Sequence, residues 1–187
     1  MNHRPRIQAV VLAGGLGRRM GGRDKGLIPL AGKPLVSHVL AALAPQVDDV
    51  VLNTPNPDYA VFGLPLLTDA VPDRAGPLAG ILAALEATDA DLVLSVPCDT
   101  PRLPADLAQR LLLALDGHEA SAAADEARLH PVIALWRTQL AGRLRRYLER
   151  GERRVGAWLA EVDHTVARFD ADGFANANTP DDLAALQ

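Results

Sequence analysis

An α/β fold in three layers, with a mostly parallel sheet covered by helices on both faces, is what this chain of 187 residues predicts. Three observations carry that expectation. Strand and helix signals alternate from end to end, the inner strands are continuous apolar runs of the kind buried on both faces, and several strands close on a polar residue. Taken in order, IQAVVLA (7 to 13) reads as a first strand breaking into glycines, and PLVSHVLAALA (34 to 44) as a helix with Pro34 at its first position. DDVVLN (48 to 53) and LPLLTD (64 to 69) read as short strands, GPLAGILAALEAT (76 to 88) as a helix started by Pro77, and DLVLSV (91 to 96) as another buried strand running into PCDTP. LPADLAQRLLLAL (103 to 115) is a strong helix pattern. SAAAD, HPVIALW and HTVARF are weaker strands, and the arginine-rich stretch between the last two reads as helix broken at Gly151. NTPDDLAALQ closes the chain with a Thr-Pro helix start.

The length suits one domain, 1 to 187, and no repeat, linker or composition shift marks a boundary. At 49% hydrophobic and 22% charged residues the composition is globular and excludes disorder, collagen and coiled coil. Cys98 is the single cysteine, so no internal disulfide can form. No apolar run reaches the roughly 18 residues of a membrane span. The opening apolar run is too short for a signal peptide, and a cytoplasmic protein is expected.

A formal net charge of -4 argues against a general nucleic-acid binder, but the average hides two basic islands. Arg18, Arg19, Arg23 and Lys25 stand against Asp24 alone, and seven arginines between 137 and 154 stand against Glu149 and Glu152. Such islands focus a small anion, or, for the second, form a solvated helix face.

Open α/β sheets bind ligands beyond the carboxyl ends of their strands, where this chain puts Gly14, Gly15, Asn53, Asp69 and Asp99. LAGGLGRRMGGRDKGL (12 to 27) holds six glycines, which free the backbone to aim N–H groups at an anion. It is neither a P-loop, since Gly22 is followed by Arg23 and Asp24, nor a dinucleotide fingerprint, since Met20 stands where the third glycine belongs. Arginines and a lysine interleaved with glycines after a buried strand point to a triphosphate, against the alternative of a bare surface loop. In VPCDTP (96 to 101), Asp99 between Pro97 and Pro101 is a lone rim carboxylate, suited to Mg²⁺ shared with phosphates, or else a turn cap. Cys98 reads as a buried small side chain. The five histidines show no metal-ligand spacing, and His130, at the start of the strand HPVIALW, reads as structural, with a site role as the alternative.

Together with GPLAGI (76 to 81), HPVIAL (130 to 135), GERRV (151 to 155) and FANANTPDDL (174 to 183), these motifs resemble the molybdenum cofactor guanylyltransferases, within the wider nucleotidyltransferases and their Rossmann-like sheet. The resemblance runs in order over nearly the whole chain. It implies transfer of GMP from GTP to molybdenum-bound molybdopterin, with GTP in the N-terminal half, the pterin in the C-terminal half and pyrophosphate released. Carried over, Leu12, Ala13, Gly14 and Gly15 line the nucleotide, and Lys25 and Arg19 neutralise its phosphates. Asn53 and Asp69 contact the nucleoside, with guanine the assignment for Asp69 and ribose the alternative, and Asp99 binds Mg²⁺ or Mn²⁺. Arg153, Arg154, Asn176 and Asn178 are the pterin candidates. Expected partners are the two substrates, other proteins of molybdenum cofactor synthesis, and the apo-molybdoenzymes or their chaperones, with no nucleic acid and no membrane. Two readings remain beside it: a cytidylyl- or sugar-phosphate nucleotidyltransferase, and a non-catalytic GTP-binding module that delivers the cofactor.

Overall fold

The computed structural model describes residues 4–14, 16–17, 23–71 and 76–186. The glycine-rich positions Gly15, Arg18 and Arg19 lie outside the described residues. In chain order the elements are β1 (Ile7–Leu12), β2 (Leu16–Gly17), β3 (Arg23–Asp24), β4 (Pro29–Leu30), β5 (Lys33–Pro34), α1 (Leu35–Leu43), β6 (Asp49–Asn53), β7 (Leu66–Leu67), α2 (Pro77–Ala87) and β8 (Leu92–Pro97). There follow α3 (Leu107–Leu115), β9 (Ala120–Ala124), β10 (Leu129–Arg137), α4 (Ala141–Glu149), α5 (Val155–Glu161), β11 (His164–Arg168) and α6 (Pro180–Ala185).

Seven strands form one sheet in the order β11-β9-β10-β8-β1-β6-β7. β1 pairs in parallel with both β6 and β8, β6 with β7, and β11 with β9, so the sheet is mostly parallel as the apolar runs demand. β10 is the exception, antiparallel to both β8 and β9. Only the four residues 125–128 separate it from β9, and a connection that short cannot make a parallel crossover. The expected strand over 64–69 contracts to Leu66–Leu67 at the sheet edge. The helix expected from 103 starts at Leu107, after Pro104.

Period-2 alternation sorts the inner strands between two cores. Ile7, Ala9 and Val11 of β1 and Leu92, Leu94 and Val96 of β8 face α1 and α3, where they meet Val36, Val39, Leu107 and Leu111. Val10 and Val93 face the other way, toward Leu78, Ile81 and Leu82 of α2, Leu144 of α4 and Trp158 of α5. Ser95, wholly buried in β8, is satisfied: its Oγ donates to the Val132 carbonyl (2.6 Å) and accepts the Trp136 indole N–H (2.9 Å). A third, smaller core joins Ile28, Leu30 and Leu35 to Ala177 and Leu186. It folds the C-terminal segment back beside Lys25. No helix among the described residues is long and apolar enough to cross a membrane.

The sheet order reverses at β1, since the chain builds β6 and β7 on one side of it and then returns to lay β8 on the other. A crevice opens beyond the carboxyl ends of strands at such a reversal.

Candidate active site

A cleft of about 1200 Å³ occupies that crevice. One wall carries Leu12 at the end of β1 with Ala13 and Gly14 after it, Asn53 at the end of β6, and Asp69. The opposite wall is the N-terminal part of β10 with its preceding turn, residues 128–133. Asp99, just past β8, stands between them because β8 lies between β1 and β10 in the sheet. Backbone bonds hold the first wall: Ala13 N–H donates to the Asn53 carbonyl (2.9 Å) and Cys98 N–H to that of Leu12 (3.1 Å).

Asn53 is buried at the end of β6, and its Nδ2 donates to Asp69 Oδ1 (3.1 Å) and the Leu67 carbonyl (3.3 Å). Asn53, expected at the nucleoside, lines the cleft, and its amide also aims the exposed Asp69 carboxylate into it. α2 packs directly on Asn53 and Leu12 at Gly80.

Lys25 Nζ donates to Asp99 Oδ2 and to Asn178 Oδ1. Three distant stretches of sequence therefore meet at one nitrogen. Asp24 positions the lysine by capping the short 3-10 turn Lys25–Leu27. Its Oδ1 accepts the Gly26 N–H (3.2 Å) and the Tyr59 hydroxyl (2.5 Å), and its Oδ2 accepts Asn56 Nδ2 (3.0 Å). Burial, followed by the bond to Asp24, pushes the Tyr59 hydroxyl far above its ordinary range, so it stays a donor. A Cβ on Gly26 would lie 2.3 Å from that hydroxyl oxygen, so only glycine fits. The sequence alone does not single out Asp24 or Tyr59; an aspartate immediately before Lys-Gly is the signal it offers.

Asp99 is 9% exposed, and its Oδ1 has no hydrogen-bond partner among the described residues. A desolvated, unsatisfied carboxylate oxygen on a cleft wall is what a cation ligand requires. No cluster of three or more His, Cys, Asp or Glu able to hold a metal occurs among the described residues, so remaining ligands would come from water and substrate oxygens. The C-terminal segment is zipped to this carboxylate's backbone: Ala177 N–H donates to the Asp99 carbonyl (2.9 Å), and Thr100 Oγ1 donates to Asn176 Oδ1 (2.9 Å). That brings Asn176 and Asn178 into the cleft. Burial, then Asp99, pushes the Cys98 thiol up, which keeps it neutral and unreactive.

Arg153 and Arg154 do not line the cleft. Both are exposed; Arg153 Nη1 donates to the Leu148 (2.6 Å) and Glu152 (2.7 Å) carbonyls, and Arg154 caps α5. Elsewhere in the second basic island, Arg143 pairs with Glu119, Arg145 with Glu86 and Arg150 with Glu161, which makes much of it a solvated, ion-paired face.

His130, read as structural from sequence, lies on the β10 wall. It shares a 2.7 Å hydrogen bond with Asp125 Oδ2, and both residues are 8% exposed. That bond first, then the backbone N–H groups of Arg128 and Ala127, holds the Asp125 carboxyl down from 3.8 to about 2. Because the folded pKa is the lower one, the pair stabilises fully above about pH 4 and loses that contribution as pH falls toward 2. Thermal unfolding of the parent and of Asp125→Asn, measured from pH 6 down to pH 2, should therefore converge across that window; a gap that stays constant would refute the assignment.

Residues 9–165 match the family described as MobA-like NTP transferase domain. Over 188 residues the chain is 42% identical to a molybdenum cofactor guanylyltransferase of Shewanella loihica, covering 97% of this chain and 96% of that one. It is 44% identical over 183 residues to a protein of the same name from Haemophilus influenzae, covering 95% of each. A crystal structure of molybdopterin-guanine dinucleotide biosynthesis protein A from Archaeoglobus fulgidus superposes with a TM-score of 0.77 at 25% identity, covering 95% of both chains.

Proposed function

The chain belongs to the molybdenum cofactor guanylyltransferases, within the MobA-like NTP transferase domain family, and from that premise we propose how its cleft transfers GMP. The enzyme attaches GMP to molybdopterin in the synthesis of the guanine dinucleotide cofactor. In our reading the donor is GTP, lying against Leu12–Gly14 and Asp69 on the β1 and β6 side, and the acceptor approaches from the β10 side. The observation that carries this reading is Asp99, standing between two walls with one oxygen unsatisfied and the other on Lys25.

A phosphate oxygen of the acceptor attacks the α-phosphorus, the bond from that phosphorus to the β-phosphate bridge breaks, and pyrophosphate leaves with the electron pair. A phosphomonoester is already an anion at neutral pH, so no general base is needed. Alignment and charge stabilisation supply the rate. Lys25, held by Asp99 and Asn178, is poised to exchange protein carboxylate for phosphate oxygens as the nucleotide enters. Asp99 would hold a divalent cation, Mg²⁺ or Mn²⁺, which when bound offsets charge on the phosphates. Leu12 and Ala13 form the apolar floor, and Asn53 keeps Asp69 fixed.

Pyrophosphate release measured with GTP, CTP, ATP and UTP in turn, with molybdopterin as acceptor, tests the reading. We expect turnover with GTP alone. Strong turnover with CTP, or GTP binding without release, would overturn it.

Asp69 sharpens the base assignment. A carboxylate accepts the adjacent N–H donors of guanine together. Asp69→Asn keeps an oxygen for Asn53 to bond but loses that acceptor pair, and should weaken GTP use about tenfold or more. Inosine triphosphate, which lacks the exocyclic amine, should lose less. Equal losses in kcat/KM for the two nucleotides would assign Asp69 to the ribose instead.

A further inference from the structure

The described cleft wall carries two cationic side chains, Lys25 and Arg128. Lys25 is paired with Asp99 and Asn178 and, in the reading above, serves the donor's phosphates. Arg128 is exposed and has no ion-pair partner among the described residues, in contrast to Arg143, Arg145 and Arg150. It lies across Asp99 from the nucleotide wall, on the four-residue corner between β9 and β10.

That corner is built, not loose. Asp125 Oδ1 accepts the Ala127 and Arg128 N–H groups, both at 2.8 Å, its Oδ2 meets His130, and Asp125 N–H donates to the Arg128 carbonyl at 3.0 Å. The His130 ring packs on Phe174, with centroids 4.7 Å apart, which anchors the corner to the segment bearing Asn176. Immediately afterwards β10 leaves register with β9: His130 pairs with Ala123, yet Ala134 pairs with the adjacent Ala122, so residues 131–133 bulge out and line the cleft. Bulges of this kind re-aim side chains beside active sites. Holding a long cation at a fixed backbone position reduces the entropy lost when it binds a ligand.

We propose that Arg128 holds the phosphate of the acceptor, with Asp125 and His130 as the residues that position it. The inference rests on the guanylyl-transfer reading above. Its chemistry is that of a planar guanidinium, which grips a phosphomonoester through paired hydrogen bonds and tolerates the close approach of a second anion by neutralising it. In a reaction that must bring two anions together, a cation on the acceptor's side lowers the acceptor's KM and leaves the donor's alone. Asp125 passes from carboxylate to backbone to Arg128, so its effect reaches the acceptor only through that corner.

The test compares the parent, Arg128→Ala and Arg128→Lys in steady-state GMP transfer, with molybdopterin and GTP varied separately. It also measures equilibrium binding of molybdopterin and of its dephosphorylated form. For Arg128→Ala we expect the acceptor KM to rise about ten- to a hundredfold, with GTP affinity and melting temperature unchanged. The parent's preference for the phosphorylated pterin should vanish in that variant and be partly restored in Arg128→Lys. An unchanged acceptor KM, a retained preference for the phosphorylated pterin, or an equal loss in GTP affinity would overturn the proposal. A parent that transfers no GMP would instead overturn the guanylyl-transfer reading beneath it, so the two failures are distinct.

Discussion

Asp99→Asn lowers GMP transfer by about a thousandfold while the protein stays folded, since removing one preorganised electrostatic group from a site of this kind costs roughly two to three decades in rate. Asparagine has nearly the same shape and keeps an oxygen for Lys25 Nζ to bond, so the meeting of Lys25, Asp99 and Asn178 survives. What goes is the charge, and with it the ability of the unsatisfied Oδ1 to serve a cation. The backbone carbonyl of residue 99 still accepts from Ala177, which keeps the C-terminal segment docked. Turnover at saturating Mg²⁺, measured beside a melting curve, separates the two effects. A variant within tenfold of the parent would mean that Asp99 is a turn cap.

Gly80→Ala is the second large effect, and its sign runs against helix propensity. Gly80 lies inside α2, where alanine ordinarily stabilises by about 1 kcal/mol. Here the new Cβ would lie 2.1 Å from Asn53 Oδ1 and 2.7 Å from Leu12 Cδ2. Either α2 moves off the sheet or Asn53 rotates and releases Asp69. Overpacking of this sort costs about 1–3 kcal/mol, a fall of several degrees in melting temperature for a chain of this size. GTP affinity should fall about tenfold as well, as expected when one hydrogen-bonded positioning contact is lost. Gly156 in α5 is the control, with nothing near its would-be Cβ, and Gly156→Ala should stabilise by about half a kcal/mol. Calorimetry and nucleotide titration of the two variants decide the matter; a Gly80→Ala protein as stable and as tight for GTP as the parent would contradict the packing of α2 on Asn53.

Much of this architecture is legible in the sequence because burial on both faces leaves a clear mark. β1 and β8 are apolar at every position but Gln8 and Ser95, and their ends locate the rim where Gly14 and Asp99 sit. The direction of β10 is not so marked, since an apolar run reads the same either way and only the length of the preceding turn decides it. Asn53 was legible as a rim residue but not as a support for Asp69, because the bond between them depends on how β6 and β7 lie side by side. Asp24 looked like a stray offset to four cations. Its partners Asn56 and Tyr59 are more than thirty residues away, and nothing local announces them. Arg128 is hidden for the same kind of reason: in DEARLHP it is one charge among several in a turn, and its place opposite the β1 and β6 wall of the cleft follows from the sheet order alone.

The account turns on Asp99 lying between a nucleotide wall and an acceptor wall, and the crystal structure of the protein with GTP and Mg²⁺ tests that most directly. It predicts the guanine against Asp69 on the β6 side, the α-phosphate beside Asp99, and the Arg128 side of the cleft left open for the acceptor. A guanine seated against Arg128 and His130, with Asp69 untouched, would contradict it.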